Sequence, residues 1–206
     1  MKIPRIIHRI WIEGSPPMPS AFVANGVRWG ALNPGWTVRH WARPDFRMRN
    51  ACLYRRAPAN DALRYRSDLL RLEILAREGG VYVDTDMEPL RPLDELLTGH
   101  AAVAAYSPNR WKGERVLSNA FLAAVPGHPW ILRCVEKMPL SIQAHRGQFL
   151  AMVTGPHHVN RCLRPGDDVH LLEPATLYPT TAIELAGAYA FHAWANRAQL
   201  KREALA

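Results

Sequence analysis

At 206 residues, with 48% hydrophobic and 21% charged side chains, the chain has the size and composition of one soluble domain with a substantial core, which excludes a disordered polymer. The net charge of +8 is unevenly placed: residues 1–71 carry 13 Lys/Arg against 4 Asp/Glu, a balance of +9, and residues 72–206 carry 13 against 14, a balance of −1. A solvated basic surface, attraction of an anionic ligand, docking on an anionic membrane and nucleic-acid binding all fit that asymmetry, but no helix-turn-helix, zinc-finger or RNA-recognition pattern is legible.

The opening MKIPRIIHRIWIEG has too short and interrupted an apolar stretch for a signal peptide, and no later run approaches the roughly 20 residues that span a bilayer. A cytoplasmic location is therefore expected, with room for peripheral attachment at the inner face of a membrane. Residues 5–12 are expected as a buried strand, closed by the rigid loop Gly14-Ser15-Pro16-Pro17-Met18-Pro19. A strand followed by such a loop is where a nucleotide enters an α/β sheet, and Trp11 offers a flat face on which a base can stack. A helix is expected over 22–30, a turn at Pro34-Gly35 and an alternating strand over 36–41. Residues 43–59 are Arg-rich and read as irregular between Pro44 and Pro58.

The segment RYRSDLLRLEILAREGGVYVDTDMEP, residues 64–89, organises the rest. Leu69, Leu70, Leu72, Ile74 and Leu75 follow a helical period, Ser67 or Asp68 is a candidate cap, and Gly79-Gly80 is a stop signal. Val81-Tyr82-Val83 then reads as a buried strand ending in Asp84-Thr85-Asp86. Strand alternation would put Asp84 and Asp86 on one side and Thr85 on the other. Two carboxylates that close repel each other, and a hard divalent cation removes the penalty, so the pattern points to Mg²⁺ or Mn²⁺ with a phosphate on its open side. The competing reading is a solvated acidic turn. Asp68 and Arg71 fall on one helix face, either as a surface ion pair or as ligand contacts.

Beyond the motif, Glu88-Pro89-Leu90 is expected to lead into a turn and a short helix at 93–97, followed by a strand at 101–106. Residues 115–125 are ambiguous between strand and helix. His128-Pro129 opens a helix to about Met138, and Thr154-Gly155-Pro156 reads as a loop into another helix. His157 and His158 diverge on a helix and are not expected to share an ion. Residues 169–172 read as a strand. Cys52, Cys134 and Cys162 lie far apart in sequence and outside any C-x-x-C pattern, as reduced structural thiols do.

The segment around Asp84-Thr85-Asp86 resembles the sugar-binding region of DXD-containing glycosyltransferases, the family type that includes yeast initiating mannosyltransferases, capsule-type transferases and clostridial glucosylating toxins. Ile3–Ile12, Ser118-Asn119-Ala120-Phe121 with Pro126-Gly127-His128-Pro129, Thr154-Gly155-Pro156 and His192-Ala193-Trp194 resemble further blocks of that family in the same order. The resemblance implies one α/β GT-A domain over 1–206, with a mixed central sheet flanked by helices. It implies a hexosyltransferase that uses a nucleotide-sugar donor with Mn²⁺ or Mg²⁺ and retains anomeric configuration. It favours a strand carrying Asn119. By the same resemblance Asp84, Asp86 and Arg71 act in catalysis, and Asp84, Asp86 and His192 hold the metal. Trp11, Ile12, Asp68, Arg71, Asp84, Thr85, Asn119 and Trp194 would contact the nucleotide sugar. The acceptor would be a glycan, lipid-linked or protein hydroxyl; peripheral contact with an anionic membrane is allowed, and no nucleic-acid partner is expected. The chain departs from the family pattern at Arg197 and Ala198, where members carry a Ser and a second aromatic. A haloacid-dehalogenase-type phosphatase, with Asp167-Asp168 as its later acidic pair, is the rival enzyme reading, and a basic nucleic-acid-binding module the non-enzyme one.

Overall fold

Side-chain alternation along three central strands divides the interior into two cores, one on each face of a sheet. The computed structural model describes residues 2–192. Its six-stranded sheet contains β1 (Ile6–Ile10), β2 (Thr37–Trp41), β3 (Gly80–Val83), β5 (Ala102–Trp111), β6 (Glu114–Ala124) and β7 (His170–Leu172), in the order β2-β1-β3-β6-β5-β7. The β1/β2, β1/β3 and β5/β7 pairs are parallel, whereas β3/β6 and β5/β6 are antiparallel. The sheet is therefore mixed, as expected. Tyr82, Leu122, Ala102 and Ala104 face one core, and Val81, Val83, Phe121, Ala123, Val103 and Ala105 face the other.

The first core is covered by α3 (Ala62–Glu78), α5 (Pro129–Ala144) and α7 (Pro156–Cys162), which contribute Leu69, Leu72, Trp130, Val135 and Val159. The second lies against Trp29 of α1 (Ser20–Leu32) and Leu96 and Leu97 of α4 (Asp94–Leu97). Helix α3 begins at Ala62, a turn and a half before the expected caps Ser67 and Asp68, and Asp68 is buried within it. It ends at Gly79, whose φ of 64° is accessible to glycine at little cost. Gly80, at φ 90°, is packed so closely that an added Cβ would lie 2.7 Å from the Ile6 carbonyl oxygen. The two glycines thus end the helix and let β3 lie against β1.

Several expectations need revision. Trp11 and Ile12 lie past the end of β1. Residues 43–59 are not wholly irregular but contain α2 (Ala51–Arg55). The hairpin β5–β6 runs to Trp111 on one arm and from Glu114 on the other, well beyond residue 106. Met87–Pro89 is a strand in its own right, β4, paired antiparallel with β8 (Ala190–His192), before the bend that leads into α4 as expected. Cys134 and Cys162, remote in sequence, both lie buried in the first core beside His158, whose Nε2 is 2.7 Å from the Cys134 carbonyl. His157 faces away, edge-on to Trp111, so the two histidines diverge. Much of the basic excess of the first third is paired, as in Arg39 with Asp45 and Glu78 and Arg28 with Glu88. Among the described residues no helix is long and apolar enough to cross a membrane.

Candidate active site

The two aspartates converge through a turn, not through strand alternation. Strand β3 stops at Val83; the Asp84 N–H still bonds the Ala120 carbonyl of β6, and the Met87 N–H closes back onto the Asp84 carbonyl at 3.1 Å. The chain then leaves as β4, whose Met87 lies opposite His192 of β8. That pairing brings an imidazole from 108 positions away against the motif: His192 Nε2 is 3.5 Å from Asp84 Oδ2 and 3.5 Å from Asp86 Oδ1. One donor atom from each of Asp84, Asp86 and His192 falls within 4.8 Å of the others. Two hard carboxylate oxygens and one imidazole nitrogen at that spacing suit Mn²⁺ or Mg²⁺, with sites left open for a ligand.

The electrostatics separate the two acids. Burial alone would raise the Asp84 carboxyl, but the Arg71 guanidinium, with help from His192 and the Tyr82 hydroxyl, holds it below its ordinary value. Burial raises Asp86; His192 offsets part of the effect and the Asp84 charge adds to it. A cation between them would relieve that repulsion.

Arg71 and Asp68, expected as ligand contacts, are committed to each other and to the motif. Arg71 bonds Asp84 Oδ1 at 3.1 Å and the Asn119 carbonyl at 2.6 Å, and its other terminal nitrogen lies 3.0 Å from Asp68 Oδ1. Its guanidinium also sits 4.4 Å above the Tyr82 ring, and the Tyr82 hydroxyl donates to Asp84 at 2.6 Å. Asp68 accepts in addition from the Asn119 amide at 2.9 Å and from the Thr154 hydroxyl at 2.8 Å. Burial nonetheless holds Asp68 above its ordinary value, against Arg71 and Thr154. In this arrangement Arg71 is a counter-charge that aligns Asp84.

A cleft of about 450 Å³ opens from this network and brings together most of the sequence candidates. Asp84, Thr85 and Asp86 line it together with Trp11, Ile12, Asp68, Arg71 and Asn119. Trp11 is pinned in two ways. Its indole N–H donates to the Pro16 carbonyl at 2.9 Å, and its ring meets Phe22 edge-on at 6.1 Å. His192 lines a second groove instead, which shares Asp84 with the first. Trp194 and the departure at Arg197 and Ala198 lie outside the described residues.

Sequence reasoning missed Arg9. Fully buried, it donates to the Thr85 carbonyl at 2.8 Å, where Asn25 also donates at 3.4 Å, so the motif turn is clamped from beneath. Burial pulls its pKa down to about 10, with Tyr82 and Asp86 opposing. A lone cation between Ile7 and Ile10 in an apolar strand was the available signal. The phosphatase pattern fares poorly: Asp167 is ion-paired to Arg133, outside the cleft, and the Asp-x-Asp follows the third strand, not the first.

Residues 30–103 match the family described as a glycosyltransferase sugar-binding region containing a DXD motif. The chain is 29% identical over 160 residues to inositol phosphoceramide mannosyltransferase 3 of Schizosaccharomyces pombe, covering 75% of this chain and 43% of that protein. It is 31% identical over 98 residues to alpha-1,4-N-acetylglucosaminyltransferase of Homo sapiens, covering 48% and 25%. The chain thus spans less than half the length of these curated relatives. Its fold is similar to that of the PaToxG glycosyltransferase, with a TM-score of 0.63 at 16% identity over 78% of this chain and 69% of that one. The galactosyltransferase LgtC, solved with donor and acceptor sugar analogs, gives a TM-score of 0.57 at 12% identity over 91% and 86%. The motif turn, the mixed sheet and these matches agree: the chain is similar in sequence over residues 30–103 to the DXD-containing sugar-binding region of glycosyltransferases, and its fold is that of the solved glycosyltransferases of GT-A type.

Proposed function

We propose that this protein moves a hexosyl group from a nucleotide-diphosphate sugar, a UDP-sugar or GDP-mannose, to an acceptor hydroxyl, with a divalent ion, Mn²⁺ or Mg²⁺, and with retention of anomeric configuration. The reading rests on one observation: the two carboxylates that cluster with an imidazole line the same cleft as a pinned tryptophan. In that cleft Trp11 offers a face for a base, a stack worth about 1–3 kcal/mol, and Asp84 and Asp86 offer a seat for the ion that holds the diphosphate. A divalent ion on Asp84, Asp86 and His192 would supply the Lewis acidity that a departing diphosphate needs. Arg71 keeps Asp84 ionised for that purpose and Arg9 holds the turn rigid, so the acids are preorganised. The carboxylates lining the cleft are Asp68, Asp84 and Asp86. Asp68 is bound by three donors and the other two belong to the ligand triad, so among the described residues no cleft carboxylate is left to serve as a separate nucleophile. That supports retention without a covalent enzyme intermediate.

The mannosyltransferase relative is named for inositol phosphoceramide. That supports a lipid-linked acceptor, a sugar-bearing lipid included, and with it peripheral contact with an anionic membrane at its cytoplasmic face; a glycan or protein acceptor is the other reading. Residues 1–206 are taken as one GT-A domain. The test is Asp86→Ala: metal-dependent donor hydrolysis and transfer should both vanish, and turnover near wild type would remove the metal role. In the wild type, UDP or GDP at 100 times its Kd should add about 2.7 kcal/mol of stability, and only with Mn²⁺ or Mg²⁺ present.

A further inference from the structure

Asp84 also lines a second groove of about 290 Å³ that adjoins the first cleft. The two share Asp84, Asn119 and Pro156, so they meet where the transferred group would leave its diphosphate. One wall of the groove is the β5–β6 hairpin. A two-residue Lys112-Gly113 turn, both residues at positive φ, closes the hairpin, with Trp111 opposite Glu114. Arg110 donates to the Gly113 carbonyl at 2.9 Å, which fixes the tip. The pairing shifts register between Ala104 and Arg110, an irregularity of the kind that twists and re-aims a strand, and resumes at the tip. Trp111 is therefore carried on a braced element, yet it is 42% exposed. His157, at the start of α7, meets its ring edge-on at 5.1 Å and 72°. Single exposed apolar side chains are ordinary. This one differs because it lines a groove continuous with the active-site cleft and lies among Ser107, Asn109, Arg110 and Ser118, groups able to bond hydroxyls.

We propose that this groove is the acceptor site and that it takes a pyranoside, with the apolar face of the sugar ring on Trp111. An aromatic plane with a few convergent polar groups matches a molecule that is apolar on one face and hydroxylated at its rim. The attacking hydroxyl then enters between Asp84 and Asn119. The inference rests on the transferase reading and deepens it, since it assigns the acceptor's chemistry and the residue that selects it.

The test is saturation-transfer NMR with the methyl glycosides of mannose, galactose and glucose, on protein loaded with Mg²⁺ and either UDP or GDP, whichever binds. At least one glycoside should bind in the millimolar range, and Trp111→Ala should weaken it by at least ~10-fold while the nucleotide Kd stays within about twofold. Trp111→Phe should keep most of the affinity. Ile183→Ala, at an 89% exposed apolar side chain outside the groove, should change nothing. Equal glycoside binding by Trp111→Ala, or no glycoside binding to nucleotide-loaded wild type, would overturn the proposal. Failure of the wild type to bind either nucleotide would sink the donor reading and this one together, a pattern distinct from loss of the sugar alone.

Discussion

Replacing Arg71 by Met tests whether the site is built on a buried counter-charge. The Arg71 side chain is only 7% exposed, and that of Asp68 10%. The Met side chain approximates the aliphatic stem but strands Asp68 in the core and removes the strongest influence holding Asp84 ionised. Removing one partner of a buried pair costs about 3–5 kcal/mol. For a chain of this size, at about 2–4 °C per kcal/mol, that predicts a Tm lower by about 6–20 °C. Thermal unfolding followed by circular dichroism in metal-free buffer measures it. Asp68→Asn in the Arg71→Met background removes the stranded charge and keeps an acceptor for Thr154, so it should restore at least ~1 kcal/mol. Metal-dependent nucleotide binding should stay weak in the double variant, because Asp84 still lacks its guanidinium. A Tm within about 2 °C of wild type for Arg71→Met, or a double variant no more stable than the single, would refute the reasoning.

Two further outcomes follow from residues around the motif. His8 is fully buried, with Nδ1 accepting from the Trp41 indole at 3.1 Å and Nε2 donating to the Gly79 carbonyl at 2.9 Å; burial lowers its pKa from 6.5 to about 4. A depressed folded pKa gives stability that is present above 6.5 and lost as pH falls toward 4, about 2 kcal/mol of it by pH 5, so urea denaturation of His8→Gln should show a flatter dependence over pH 5–7. Gly80→Ala and Gly14→Ala both place a side chain at φ near 90°, but only at Gly80 does the Cβ meet backbone; Gly80→Ala should cost at least ~2 kcal/mol in urea and Gly14→Ala about 1, and equal losses would show that close approach to β1 is not what Gly80 provides.

The organising segment was legible because its signals are local: the leucine period of α3, the paired glycines and the apolar run before Asp84 all act within a few residues. The partnering of those residues was not. Nothing in the spacing of Asp68 and Arg71 says that Thr154 and Asn119 would saturate the aspartate from distant elements. Strand alternation correctly split Tyr82 from Val81 and Val83, but it stopped applying at Asp84, where the chain turns. Strands β4 and β8 have three residues each, too few to show a period, so the route by which His192 reaches the motif is visible only in the pairing of Met87 with His192. Arg9 was obscured for a similar reason: the strand predicts its burial, but the carbonyl it serves lies 76 positions away.

With an ion on the three side chains, the placement of His192 would make ligand binding and chain docking one event. Strand β8 joins the body by three rungs to β4, and its terminal imidazole completes the triad. Anything that grips all three side chains is then a clasp closing a loop of more than a hundred residues. By reciprocity, loosening that clasp frees the strand, and peeling the strand away lowers affinity for whatever the aspartates hold.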